Sequence, residues 1–201
     1  MSDDRASLEA VLDAEYREVD PADNIPRAAV AAIFRRTDES RSGAELLFIQ
    51  RAAKPTDPWS GQMAFPGGRS EPSDSSAQAT AIRETSEEVG LDLGIASFIG
   101  SLSELDGGRT TRRRVNVSAH AFWLDGPRPT LTPNHEVADV IWVPMTLLED
   151  RARYIDYHYP LAGTDFPGIQ LDRDDQVIWG LTLRLLSDLF RRLDRPFIPI
   201  D

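Results

Sequence analysis

Glu84, Glu87 and Glu88 stand close together in Ile82-Arg83-Glu84-Thr85-Ser86-Glu87-Glu88-Val89-Gly90-Leu91, just after Phe65-Pro66-Gly67-Gly68 and a short polar run. On a helix, residues three and four apart share a face, so the three carboxylates would crowd one side of one turn. Like charges at that spacing destabilise a helix. Hard divalent cations, Mg²⁺ or Mn²⁺, would relieve the repulsion, because they take carboxylate oxygens and usually bridge them to phosphates. A solvated acidic face is the plain alternative, and the rest of the chain has to decide between the two.

The elements that must position these acids follow from patterning. The glutamate segment reads as a helix from about Ser76 to Val89, with Ser75 and Gln78 as a capping box and Gly90 at the left-handed C-terminal position. Ile82, Thr85 and Val89 form its docking face, which leaves the carboxylates pointing outward. Ahead of it, Leu8, Val11, Leu12 and Tyr16 mark a short N-terminal helix over residues 6–16, and Pro21 and Pro26 mark a connector. Ala28 to Arg35 and Glu45 to Arg51 read as an antiparallel pair around the Asp38–Gly43 turn. An irregular loop then runs from Ala52 to Met63. Ile95 to Leu105 and Arg114 to Leu124 read as strands about a Gly107-Gly108 turn, and Val137 to Val143 as another that ends at Pro144. A short helix follows over Met145 to Asp150, and Tyr154 to Tyr159 is an extended edge. Asp174 or Asp175 caps an amphipathic helix running to Leu193, seamed by Ile178, Leu181, Leu185 and Leu189. No repeat or convincing linker interrupts this, so a single mixed α/β domain spanning residues 1–201 is expected.

Composition narrows the function. The chain has 201 residues, 41% hydrophobic and 27% charged, which suits one globular core. It has no Cys, which removes disulfides, thiolate metal sites and cysteine nucleophiles. The N-terminus lacks the basic and apolar regions of a signal peptide, and no apolar run reaches membrane-spanning length, so a cytoplasmic protein without a membrane partner is expected. A net charge of -11 argues against duplex nucleic acid as a partner. It leaves small anions open, because a bound metal or local arginines can reverse the sign inside a cleft.

The stretch Gly68 to Leu91 resembles the signature of the Nudix hydrolases: a glycine, five residues, a glutamate, seven residues, Arg-Glu, an apolar residue, any residue, Glu-Glu, any residue, Gly and an apolar residue. Arg83 to Leu91 satisfies the second half, with Thr85 in the apolar place. The first half is one residue longer than the motif, so Ser75 falls where the first glutamate belongs, with Asp74 beside it. In the family that acid orients the motif arginine; Asp74 takes the role from one position earlier, or Asp74 and Ser75 are both helix caps.

The resemblance implies a Nudix-type α/β/α sandwich with a mixed central sheet and a loop–helix–loop motif. It also implies hydrolysis of the diphosphate in a nucleoside diphosphate linked to another group, with Mg²⁺ or Mn²⁺. Carried over residue by residue, Glu84, Glu87 and Glu88 are metal ligands, with Glu87 binding metal or taking a proton, and a carbonyl of Gly67 or Gly68 adds a further ligand. Arg83 orients the glutamates by a salt bridge. Glu136, ahead of its strand, is a candidate general base or else a surface loop glutamate, and Glu104, near the end of its strand, is a further candidate.

Within the family, Thr80-Ala81-Ile82-Arg83-Glu84, the Gly61-Gln62 and Ala64-Phe65-Pro66-Gly67-Gly68 leader and Val177-Ile178-Trp179-Gly180-Leu181-Thr182 resemble the coenzyme A diphosphatase group. Lys54-Pro55-Thr56-Asp57-Pro58-Trp59-Ser60 departs from that group's Leu- and His-containing leader. Coenzyme A, cleaved to 3′,5′-ADP and 4′-phosphopantetheine, is the leading substrate. ADP-ribose or a dinucleotide is the alternative, and a nucleotide sensor that no longer turns over is another.

Arg51 could pair with a phosphate. Arg109, Arg112, Arg113 and Arg114 could bind the 3′-phosphate of coenzyme A or the diphosphate, or form a solvated loop. Trp59 stacks on a base, or packs, or sits at a homodimer contact. Trp142 and Trp179 read as core, and the three histidines show no metal-ligand spacing.

Overall fold

The long apolar strands dictate the centre of the molecule. In the computed structural model, which describes residues 3–12, 25–37, 43–55, 59–106, 114–160 and 163–198, they assemble into one large mixed sheet. β1 (Arg27–Arg36) lies parallel to β7 (Asn116–Leu124) along its whole length and antiparallel to β2 (Ala44–Arg51). β5 (Ser97–Ser101) and β6 (Leu105–Asp106) pair with β7, and β8 (Val137–Pro144) runs against β2.

The pairing of β1 and β2 is confined to Phe34–Arg36 against Ala44–Leu46. Beyond that point the two strands part. The fork is filled by β3 (Met63–Ala64), paired to β2, and β4 (Gly67–Arg69), paired to Ala28–Val30 of β1. Side chains alternate across a strand, so the two faces of β1 serve different helices. Ala29, Ala31 and Ile33 pack beneath α2 (Ala77–Val89). Ala32 and Phe34 pack with α4 (Gly180–Arg192) on the other face. Helices on both faces of a mixed sheet make the α/β/α sandwich that the motif implied. α1 (Asp4–Val11) and α3 (Met145–Leu148) are short flanking helices. A separate sheet, β11 (Val177–Trp179), β10 (Thr164–Gln170) and β9 (Tyr154–Tyr159), stands beside the main one, with β9 at its edge.

Several boundaries move from their sequence-based positions. The N-terminal helix is Asp4–Val11, and Tyr16 lies outside the described residues. The expected strand Ile95 to Leu105 begins with a 3₁₀ turn, Leu93–Ile95, and pairs only over Ser97–Ser101 before the short β6. The last helix starts at Gly180, because Val177-Ile178-Trp179 is taken by pairing with β10. The Asp38–Gly43 turn, save Gly43, and the Gly107-Gly108 turn fall outside the described residues. Among the described residues no helix is long and apolar enough to cross a membrane.

Candidate functional site

α2 is built as its sequence requires, with one shift. Its N-cap is Ser76, whose Oγ accepts from the Ala79 amide at 3.1 Å, one residue later than the expected capping box. Gly90 takes the left-handed conformation at φ 69° and ends the helix. The carbonyls of the last turn are then satisfied by the loop that follows β7. Thr132 N–H donates to Val89, Asn134 N–H to Glu88, and Asn134 Nδ2 to the Glu87 carbonyl. That loop carries Glu136, whose carbonyl accepts from Ala52 N–H at the end of β2. Capping α2 therefore also positions Glu136.

Arg83 is the hub of the motif. Nε and Nη2 grip the two oxygens of Asp74 at 3.0 Å each, Nη1 donates to Glu84 at 3.0 Å and Glu87 at 3.1 Å, and Nη2 also reaches the Arg69 carbonyl. All five guanidinium N–H groups are thereby engaged. Asp74 also accepts from the Glu71 amide and the Thr80 hydroxyl. The Arg83 guanidinium, aided by these donors, holds the Asp74 carboxyl far below the usual carboxylate range. Geometrically, Asp74 holds the arginine from one position before the place of the motif's first acid. With Glu84 as the ligand of a catalytic cation, replacing Asp74 by Asn should cost about 10- to 100-fold in activity, the usual loss when an outer partner of a metal ligand is removed. Steady-state kinetics would check this, and Asp74→Glu should restore part of the rate.

The three glutamates separate instead of sharing one outward face. Glu88 is only 3% exposed, and its Oε2 accepts from Gly67 N–H at 2.8 Å. Burial pushes its carboxyl up to about 7; the Gly67 amide and Arg51 oppose this, while Glu84 and Glu136 add to it. Glu84 is also pushed up, first by burial, against the pull of Arg83 and with repulsion from Glu87 and Glu136. Glu87, with its side chain 55% exposed, is held on Arg83 and does not line the cleft. Gly68 makes the room for Glu84: a Cβ there would stand 2.5 Å from its carboxylate carbon.

Glu84, Glu88, Glu136, Gly67 and Gly68 line one cleft of about 500 Å³, which opens in the fork between β1 and β2. Arg51 and Trp59, both singled out by sequence, line it as well. Arg69 and Lys54 join them; Arg69 had a legible signal, being the cation that directly follows the Gly-Gly pair. Leu181, Thr182 and Leu185 of α4 close another part of the wall, where the sequence pattern gave only a core seam. Arg114 is turned onto Asp106 at 3.4 Å and Glu104 is away from the lining, while Arg109, Arg112 and Arg113 lie outside the described residues. His120 is buried between Ser101 and Ser118.

The donor chemistry fits a hard divalent cation: carboxylate oxygens, two of them from half-buried or buried side chains whose mutual repulsion a cation would relieve. The space over Gly68 that a Cβ would fill belongs to the same set. Among the described residues no three acidic or histidine side chains converge tightly enough to enclose an ion unaided. Glu84 and Glu88 are the pair the cleft presents, with Glu136 near enough to repel both.

Comparison with known proteins bears on the family and the fold. The NUDIX domain family model matches residues 25–161. A probable nudix hydrolase of Schizosaccharomyces pombe is 32% identical over 160 residues, covering 78% of this chain and 53% of the yeast protein. This chain thus spans about half the length of that relative. An uncharacterized Nudix hydrolase NudL of Yersinia pestis (strain Pestoides F) is 27% identical over 147 residues, covering 73% of this chain and 72% of the relative. A crystal structure of a MutT/nudix family protein from Enterococcus faecalis shares the fold with a TM-score of 0.59 at 18% identity, covering 89% of this chain and 65% of that one.

Proposed function

The chain belongs to the NUDIX domain family, and from that premise we propose that it is a divalent-cation-dependent hydrolase of the diphosphate bond in a nucleoside diphosphate linked to another group. The observation that carries the reading is Glu88. It is a carboxylate buried against the Gly67 amide, in a cleft that also holds Glu84, Glu136 and Arg51. Keeping an acid in so dry a place is costly unless it has a charged partner to meet.

Glu84 and Glu88 would hold the cation, with a carbonyl of Gly67 or Gly68 as a further ligand; Glu87, the third acid of the motif, stands outside the cleft lining on Arg83 and would have to leave that bond to join them. When bound, Mg²⁺ or Mn²⁺ neutralises phosphoryl oxygens and lowers the pKa of water. Arg83, itself fixed by Asp74 and the Arg69 carbonyl, keeps Glu84 and Glu87 in place and does not touch substrate. Arg51 pairs with a phosphate oxygen. Glu136 accepts the proton of the attacking water at its carboxylate as the water oxygen bonds to phosphorus and the bridging P–O bond breaks. The departing phosphate leaves with the electron pair of that bond. Glu136 suits this role because its loop is pinned to the C-terminus of α2 and to the end of β2.

For the substrate we favour coenzyme A, which the sequence resemblance supports through Gly61-Gln62, Ala64 to Gly68 and Val177 to Thr182. One screen tests both levels: hydrolysis of coenzyme A, its 3′-dephospho form, ADP-ribose, NADH and dinucleoside polyphosphates, with Mg²⁺, with Mn²⁺ and with chelator. The expected result is cleavage of coenzyme A that chelator abolishes and either cation restores. Cleavage of ADP-ribose alone would retire coenzyme A and keep the hydrolase. Tight binding of a nucleotide with no product under any condition would replace the hydrolase by a sensor.

A further inference from the structure

The cleft has a second chemical character that the diphosphate does not use. Ala29, Ala31 and Ile33, the residues of β1 that face α2, are wholly buried. Their neighbours Ala28 and Val30 face the α4 side, yet both remain only half-buried, because they form cleft wall. The parallel register sets Val117 of β7 beside Ala28. Val115 lies two residues further back, about 7 Å along the chain and beyond the start of β1. The apolar floor therefore continues away from the acids, past the end of the strand that carries Gly67 and Gly68 as partners.

α4 supplies the opposite wall. Leu183, Leu185 and Leu186 are buried, but Leu181 is only partly buried and lines the cleft. The Thr182 hydroxyl is spent on the Met63 carbonyl at 3.0 Å, which ties the first turn of α4 to β3. The charged side chains of the cleft, Arg51, Lys54, Arg69, Glu84, Glu88 and Glu136, come from other elements; α4 and β7 contribute none. Folding does not require a leucine, a valine and an alanine left half in water around one hollow. Covering them is favourable in proportion to the apolar area removed from solvent.

We propose that the α4 end of the cleft is a subsite for an uncharged, partly apolar arm attached through the diphosphate to the nucleotide, and that Leu181 determines specificity for it. This rests on the hydrolase reading above and deepens it. A substrate with a polyhydroxylated second half, such as a ribose, would leave the partly exposed Ala28, Val30 and Leu181 wet. A chain of methylenes, methyls and amides would cover them without burying a charge.

The test compares two substrates with the same adenosine diphosphate half, 3′-dephospho-coenzyme A and ADP-ribose, on the wild type, Leu181→Gln and Leu181→Met. The ratio of kcat/KM values, arm-bearing over ribose-bearing, should fall about tenfold in Leu181→Gln and stay within about threefold in Leu181→Met. A ratio unmoved by Leu181→Gln overturns the proposal. Calorimetry with 4′-phosphopantetheine, without added metal, gives a second readout that needs no turnover. Binding to the wild type that weakens about tenfold in Leu181→Gln supports the subsite, and equal or absent binding to both overturns it. A wild type that cleaves neither these two nor any other substrate of the screen with either cation would remove the hydrolase reading, and the calorimetric comparison would still decide the subsite.

Discussion

Replacing Glu88 by Gln should reduce the proposed diphosphate hydrolysis by on the order of 10²–10³-fold and, at the same time, stabilise the metal-free protein. The two effects have one cause. Glu88 is 3% exposed, and burial pushes its carboxyl up to about 7, against the Gly67 amide and Arg51 and with added repulsion from Glu84 and Glu136. A glutamine keeps an oxygen for the Gly67 N–H and removes the buried charge. The gain should be on the order of 1–3 kcal/mol, since each pKa unit is worth about 1.4 kcal/mol.

The pH dependence follows in sign. A carboxyl whose folded pKa is raised favours the protonated folded state. The wild type therefore pays nothing for Glu88 at acid pH and loses stability as pH rises from about 4.5 to about 7. The variant lacks that loss, so the difference in melting temperature in chelator should open over this interval and level off above it. Thermal melts between pH 4 and 8, beside kinetics at one pH, check both halves. A variant as active as the wild type would overturn the site. Activity lost together with stability would make Glu88 a packing residue and nothing more.

The burial of Glu88 was legible in the sequence, though not where the eye first goes. Ala81, Thr85, Glu88 and Val89 fall at i, i+4, i+7 and i+8, which is one buried stripe of a helix. Counting the glutamates as a single face obscured this, because Glu84 and Glu87 flank the stripe while Glu88 sits inside it. The motif helix, its Gly90 terminus and the long strands of the main sheet were readable because each carries its own periodicity or turn residue; the short β3, β4 and β6 were not. The cap slipped by one residue because Ser75 and Ser76 offer the same oxygen, and only the chain path chooses between them.

β10 left no such trace. Thr164-Asp165-Phe166-Pro167-Gly168-Ile169-Gln170 holds a proline and a glycine, which argue against a strand with partners on both sides. The pairing explains the exception: Pro167 faces only Asp156 of β9, and β11 joins no earlier than Gly168. A proline with no second neighbour removes no bond on that side. The same pairing claims Val177 to Trp179 and delays α4 to Gly180, which puts Leu181 at the cleft. The α4 wall thus depends on a contact between distant segments, beyond the reach of local pattern.

Two adjacent glycines should respond to the same substitution in opposite ways. At Gly67 an added methyl group would stand 2.3 Å from the Ala29 carbonyl oxygen and 2.5 Å from the Val30 Cα, and φ is 153°, a conformation side-chain-bearing residues rarely adopt. These atoms are backbone of β1, held in register by β7 along one side. Neither can yield, so Gly67→Ala should cost about 3 kcal/mol or more and lower the melting temperature by many degrees. At Gly68 the three atoms nearest the methyl group would all belong to the Glu84 carboxylate, at 2.5–2.7 Å. That group ends a flexible side chain and can swing aside, so Gly68→Ala should fold with nearly the wild-type melting temperature. It would move Glu84 by an ångström or more from the cleft, and misplacement on that scale costs on the order of 10²-fold in rate. Melting curves and initial rates on the two variants separate the outcomes. If Gly68→Ala keeps its rate within about threefold, Glu84 need not stand where the glycine lets it; if it unfolds like Gly67→Ala, the backbone there is less able to accept a side chain than the position of Glu84 implies.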